Sequence, residues 1–200
     1  LREDNRRLRF LSEEEMLRFL ESCSPHLRPI VLTALNTGMR KSEILNLRWD
    51  QVDFKHGFIL LEVTKSGERR EIPMNQILRE ALRKIPRRLN NPHVFTNGKG
   101  TPYKDVKGSF ASALRKAGIK DFKFHDLRHT FASHLVMEGV DLTTVKELLG
   151  HKTLNMTLRY AHLAPGHKVR AVSVLEKLLD QRPTIQKLYN LEESDQAGSS

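Results

Sequence analysis

A single cysteine, Cys23, stands among 200 residues, so no disulfide can form within the chain, and a reducing interior such as the cytoplasm fits best. Long apolar runs are missing too. The longest, Ile30 to Leu35, is interrupted by Thr33 and falls far short of the ~20 residues that a membrane-spanning helix requires, which excludes membrane insertion. No charged-then-apolar leader opens the chain, which argues against secretion. Prolines number only eight, and neither an internal repeat nor a low-complexity tract is visible. Hydrophobic residues make up 38%, nine Phe among them, enough for the core of one domain of ordinary size. The first residue is Leu1 rather than Met, from which a longer parent polypeptide is expected.

Acidic residues are in short supply: 24 Asp+Glu face 34 Lys+Arg, a formal net charge of +10. The last ten residues hold three acidic groups and no basic one, so the first 190 carry 34 basic against 21 acidic residues. Such an excess on a folded chain points to a polyanionic partner.

Residues 1–11 hold Arg2, Arg6, Arg7 and Arg9 without a sustained period and read as a linker or arm. Ser12 and Glu15 form a capping box ahead of a helix with Met16, Leu17, Phe19 and Leu20 on its apolar face. A second helix ends at Gly38, which places Arg40 just beyond a helix terminus, and Ser42 can cap a short helix through Leu47. The period then changes. Val52 to Phe54, Phe58 to Val63 and Arg69 to Ile72 read as three antiparallel strands joined by turn sequences. Helical spacing returns from Asn75, with Ile77, Leu78, Ala81, Leu82 and Ile85 apolar, and continues in helices ending at Gly118, Gly139 and Gly150. A last helix is expected over 166–179, followed by a partly disordered tail over 181–200. The fold class is therefore mainly α with a small three-stranded antiparallel sheet.

Six of the nine histidines lie between His125 and His167. In His125-Asp126-Leu127-Arg128-His129, positions 125, 128 and 129 share one helix face, so two imidazoles and a guanidinium are presented together. Arg128 offers a planar donor fork suited to phosphate, and His125 can exchange a proton near neutral pH. A solvated, partly structural face is the bland alternative. Zinc is a sharper rival, since His125 and His129 stand at i, i+4, but the acid between them is Asp126 rather than Glu. Arg128 would also set a fixed positive charge beside any dication. No metal site is assigned.

Leu148-Leu149-Gly150-His151 is followed nine positions after the histidine by Tyr160, within Arg159-Tyr160-Ala161-His162. With Thr37-Gly38-Met39-Arg40-Lys41-Ser42-Glu43, Thr64-Lys65-Ser66-Gly67 and His125-x-Leu-Arg128-His129, the chain resembles the catalytic domain of the tyrosine recombinases, the phage integrase family, from about Leu8 to Leu179. The order and spacing of these motifs match together, which makes the resemblance specific. It implies a catalytic domain over 12–180 and Tyr160 as nucleophile, with Arg40, Lys65, His125, Arg128 and His151 completing the site.

Elementary chemistry agrees with these roles. In-line attack on a phosphodiester builds negative charge on the non-bridging oxygens, which Arg40 and Arg128 can clamp and His151 can meet with a hydrogen bond. A phenol of pKa about 10 needs help to lose its proton, from a base, for which His125 is preferred, or from the field of neighbouring cations. Lys65, on a hairpin, can protonate the departing 5′ oxygen. Glu43 is read as support for Arg40. Lys41, Arg69 and Arg70 are candidates for contact with DNA phosphates, though short basic runs are individually more often solvated faces. Tyr103, Tyr189, Trp49 and His134 read as packing or surface residues, and His129 and His162 are left out of the catalytic set.

The resemblance implies a bacterial or phage-encoded enzyme that cleaves and rejoins double-stranded DNA through a 3′-phosphotyrosyl intermediate, without metal, nucleotide or other cofactor. Residues 159–171 lean towards an integrase of a mobile element. A homotetramer is implied on synapsed DNA and a monomer for the isolated chain. The family's N-terminal core-binding domain is absent from this sequence, from which weak, salt-sensitive binding is expected. The alternatives are a type IB topoisomerase and a catalytically silent DNA-binding regulator.

Overall fold

The structure, a computed structural model, describes residues 8–61, 69–164, 166, 172 and 173. The chain divides into two units, residues 1–163 and 164–200, and every element discussed below lies in the first. The last helix expected over 166–179 falls almost wholly outside the described residues, as do the tail and the first part of the expected linker.

Helix α1 spans Glu13–Ser22 and opens with the expected box: the Ser12 hydroxyl accepts from the Glu15 N–H at 3.2 Å, and the Glu15 carboxylate accepts from the Ser12 N–H at 3.0 Å. It packs on α5, Lys107–Ala117, where Phe19 meets the edge of Phe110 at 5.2 Å between ring centres. Leu17, counted on the apolar face of α1, is exposed.

Helix α2, Leu27–Thr37, packs on α6, Asp126–Met137. The crossing is close where α2 ends. Gly38 has φ 60°, and a Cβ there would lie 2.5 Å from Phe131 Cδ1 and 2.7 Å from Leu149 Cδ2. Only glycine meets both demands. Helix α3 covers Lys41–Leu45, two residues earlier than a Ser42 cap requires, because the Glu43 carboxylate accepts from the Arg40 N–H at 2.8 Å and does the capping itself.

Strands β1 (Val52–Asp53), β2 (Phe58–Leu61) and β3 (Arg70–Pro73) form the expected antiparallel sheet in the order β1-β2-β3. Register pairs Ile59 with Ile72 and Leu61 with Arg70, all four buried, while Leu60 and Glu71 are exposed. Period-two alternation thus places Arg70 on the same inward face as Ile72. The segment that joins β2 to β3, residues 62–68, lies outside the described residues and includes Lys65.

Helix α4 (Gln76–Arg83) buries Leu78 and Leu82 but leaves Ile77 exposed. Helix α7 (Leu142–Leu149) is capped by Asp141 and stops at Gly150, φ 63°. Two 3₁₀ turns follow, Leu154–Met156 and Leu158–Leu163, the second packed on α6. One core runs from Leu11 and Phe19 through Ile30, Ile44, Ile59, Ile72 and Leu78 to Leu127. Each such side chain contributes about 1.5–3 kcal/mol by leaving water. Trp49 sits beneath the Arg87 guanidinium at 4.5 Å, Tyr103 stacks on His26, and His134 bonds the Leu11 carbonyl at 2.8 Å, which agrees with the structural roles expected of them.

Candidate active site

Three helix ends converge. The α2–α3 corner carries Gly38 and Arg40, the start of α6 carries His125, Arg128 and His129, and the stop of α7 carries His151 ahead of the turn that holds Tyr160. Glycine termini at 38 and 150 let the backbone turn sharply enough to bring these corners together.

Arg40 keeps 40% of its side chain exposed while Glu43 grips it: Nη1 donates to Oε1 at 2.9 Å, and the Arg40 backbone N–H donates to Oε2. Burial alone would push the Glu43 carboxyl up, yet the Arg70 charge and the hydrogen bonds from Arg40 outweigh it and hold the group below the usual carboxylate range. The supporting role expected of Glu43 has the geometry it needs.

Arg128 is buried at 3% exposure, not displayed on an open helix face. Its Nη1 donates to the Gly38 carbonyl at 2.7 Å and its Nη2 to the Leu149 carbonyl at 2.6 Å. Burial, then the charges of Arg40 and Arg70, push its pKa down to about 10, so it remains a cation at neutral pH.

The phenol of Tyr160 is also buried, at 1% exposure, and its oxygen lies 2.7 Å from His129 Nδ1. His129, which sequence reasoning left out, is therefore the imidazole against the tyrosine. His125 stands behind it, the two rings edge to face at 5.0 Å between centres. In the Nε2–H tautomer of His129 the phenol donates to Nδ1, the arrangement of a base; in the other tautomer the ring donates to the phenol oxygen. Burial raises the Tyr160 pKa, and the nearby charges of Arg128 and Arg159 oppose that rise.

His151 Nδ1 pairs with the Thr157 hydroxyl at 2.8 Å, and its backbone N–H caps α7 through the Lys146 carbonyl. Burial first, then surrounding positive charge, lowers all three imidazoles: His129 and His151 to about 4, with His125 also below its ordinary value. For His129 the leading neighbour is His125; for His125 and His151 it is Arg128. All three are therefore neutral at pH 7, each with one ring nitrogen able to accept a hydrogen bond.

Of the expected phosphate contacts, Lys41 is half-exposed and holds Asp105 at 3.0 Å, a surface pair that phosphate can displace at little cost. Arg69 is exposed and borders a cleft of about 350 Å³ with Lys146, His151 and Lys152, two lysines that sequence reasoning did not single out. Arg70 requires a correction. It was expected on DNA, but it is buried at 8% exposure, with Nη1 on the Leu149 carbonyl at 2.6 Å and Nη2 on Glu43 at 2.8 Å. Its shared face with Ile72 is the reason. Lys65, the expected acid, lies outside the described residues. Among the described residues no three His, Cys, Asp or Glu side chains gather where a metal ion could be held, and no helix is long and apolar enough to cross a membrane.

Comparison with known proteins gives the site its context. The integrase of Salmonella phage P22 is 37% identical over 180 residues, covering 82% of this chain and 46% of that protein. The tyrosine recombinase XerA of Pyrococcus furiosus is 34% identical over 182 residues, covering 84% of this chain and 63% of that protein. Thus the chain spans about half the length of the curated phage integrases it matches. Among solved structures, the catalytic domain of bacteriophage HP1 integrase superposes with a TM-score of 0.70 at 37% identity, covering 84% of this chain and 95% of that one. XerH site-specific recombinase bound to its difH substrate, in a pre-cleavage complex, gives 0.69 at 27% identity, covering 88% and 56%. The family model described as "Phage integrase family" matches residues 9–167, and with the tyrosine, histidine and arginine corners in place the chain belongs to that family.

Proposed function

We propose that this chain is the catalytic domain of a site-specific DNA recombinase that cleaves and rejoins double-stranded DNA with Tyr160 as nucleophile. The observation that carries the reading is the buried contact between the Tyr160 phenol and His129 Nδ1 at 2.7 Å, beside Arg128 and in the field of Arg159.

Scissile phosphate enters against Arg40, the clamp residue with open surface, while Arg128 holds charge and geometry from behind. His151 supplies a hydrogen bond to a non-bridging oxygen after exchanging its Thr157 partner. The phenol proton passes to His129, with His125 next in line, and the aryloxide attacks phosphorus in line with the 5′ oxygen. One bond forms, between Tyr160 and the 3′ phosphate, and the bond from phosphorus to the 5′ oxygen breaks; Lys65 supplies the proton that makes the leaving group a 5′-hydroxyl. Phosphotyrosine keeps the bond energy, so a second strand's 5′-hydroxyl reverses the step without metal, nucleotide or other cofactor. At 1% exposure the phenol meets the scissile phosphate only once the pocket around the Tyr160–His129 pair opens, which makes that opening part of DNA engagement.

The relatives' descriptions favour recombination over the topoisomerase and regulator readings: XerH is described bound to difH in pre- and post-cleavage complexes, and the P22 and HP1 proteins as integrases. The proposed setting is a bacterial or phage-infected cytoplasm, with a monomer free in solution and a homotetramer on paired sites. Incubation with a nicked suicide duplex in the presence of chelator tests the reading. A covalent protein–DNA adduct that survives chelator and vanishes in Tyr160→Phe is expected; an adduct that needs a divalent ion, or none at all with the wild type, overturns it. Two marked duplexes then distinguish strand exchange from relaxation.

A further inference from the structure

Arg70 is a buried cation for which phosphate chemistry has no direct use. Nothing in the reaction scheme requires a third arginine that DNA cannot touch, yet its side chain is placed with care. Nη1 shares the Leu149 carbonyl with Arg128 Nη2, both at 2.6 Å, and Nη2 shares Glu43 Oε2 with the Arg40 backbone N–H, both at 2.8 Å. Glu43 Oε1 then takes Arg40 Nη1, and Arg128 Nη1 returns to the carbonyl of Gly38, two residues before Arg40. The links close a ring: Gly38, Arg128, Leu149, Arg70, Glu43 and Arg40. Gly150 is part of the fit, since a Cβ there would collide with the Arg70 guanidinium.

We propose that Arg70 is a positioning residue for DNA cleavage, which fixes Arg40 through Glu43 and fixes the Arg128–His151 corner through the Leu149 carbonyl, without touching DNA.

Two physical consequences define the role. First, Glu43 is shared. With Arg70 in place its Oε2 is occupied, so Arg40 forms one side-chain bond to the carboxylate and keeps its other donors open to phosphate. Without Arg70, Glu43 can take Arg40 in a bidentate grip that competes with the substrate's oxygens. Second, the Leu149 carbonyl is a terminal acceptor of α7 with no further helix turn to pair it, and two guanidiniums hold it against the negative end of the helix. Losing one leaves the loop to His151 less constrained. Arg70 also begins β3, two residues after the segment 62–68 that contains Lys65, so the same side chain ties the start of β3 to the arginine corner.

The inference rests on the proposed tyrosine chemistry, and the test separates the two. Wild type and Tyr160→Phe are run first on the suicide duplex; no adduct with the wild type would defeat the chemistry itself, before Arg70 is at issue. Single-turnover cleavage at saturating protein, and DNA affinity across a salt series, are then measured for Arg70→Met, Arg70→Lys, Glu43→Gln and the Arg70→Met/Glu43→Gln double variant. Arg70→Met is expected to slow cleavage about tenfold or more, with affinity within about twofold and an unchanged salt slope. The double variant is expected to lose less than the product of the two single losses, because removal of the carboxylate charge ends its competition for Arg40. Cleavage by Arg70→Met within about twofold of wild type, multiplicative losses in the double variant, or a defect in affinity with a shallower salt slope would each overturn the proposal. Should Arg70→Met fail to fold, Arg70→Lys decides: it retains the charge but cannot span both acceptors, so slowed cleavage with unchanged affinity supports the role and wild-type cleavage refutes it.

Discussion

Tyr160 Oη and His129 Nδ1 lie 2.7 Å apart in a pocket that leaves the tyrosine 1% exposed. An imidazole whose pKa burial has lowered to about 4 can accept a hydrogen bond throughout the neutral range. His129→Gln, which keeps a polar side chain but removes the base, is expected to slow adduct formation about 10²-fold at pH 7 with little change in DNA affinity. Quenched-flow cleavage of the suicide duplex checks it. A loss within about threefold would return the role of base to His125.

Neutral, half-buried histidines make stability depend on pH. In the folded state His129 and His151 hold back protonation until about pH 4, whereas unfolded histidine takes up its proton near 6.5. Between those values the unfolded chain binds more protons, so stability falls as pH drops from 6.5 towards 4, and these two groups add nothing further below that. Urea midpoints measured at half-unit steps are expected to decline across this window, and His151→Gln is expected to flatten the decline.

Gly38 joins positive φ to a crowded α2–α6–α7 junction. In Gly38→Ala the new methyl would meet Phe131 and Leu149 at 2.5 and 2.7 Å, in a backbone conformation that L residues disfavour. A destabilisation of about 2–4 kcal/mol is expected, together with slowed cleavage, because the Gly38 carbonyl that holds Arg128 must shift. Equilibrium urea unfolding provides the measurement.

Lys41 is paired only across the surface, to Asp105. Lys41→Ala is expected to weaken DNA binding equally for all sequences and to reduce the salt slope by about one, while Asp105→Asn leaves the slope unchanged or raises it. Fluorescence anisotropy at four salt concentrations reads both.

Much of this was legible in the residues. Helix stops at Gly38, Gly118 and Gly150 are legible because left-handed termini favour glycine, and the Ser12–Glu15 box because its reciprocal bonds are local. The sheet was marked by a change of period. Side-chain direction was harder. Arg69 and Arg70 look like one basic pair in sequence, yet strand alternation separates them, and the pairing of Arg70 with buried Leu61 is a register fact that only the folded sheet supplies. Leu17 and Ile77 failed for a related reason: apolar spacing marks a face, but neighbouring helices decide its width. His129 stands in the motif, but its role is not local: the partner that defines it lies 31 residues away. The i, i+4 relation to His125, one helical turn back, is the sequence signal that singles it out.

The most direct measurement is the site of covalent attachment. Trypsin cuts after Arg159 and Lys168, so Tyr160 lies in its own peptide, apart from those of Tyr103 and Tyr189. Adduct formed on the suicide duplex, trimmed with nuclease and digested with trypsin, is expected to carry its nucleotide mass on the peptide 160–168 and nowhere else. Nucleotide mass on any other peptide, those of Tyr103 and Tyr189 included, or on His162 or His167 when the 160–168 peptide is fragmented, would contradict the assignment of Tyr160 as nucleophile.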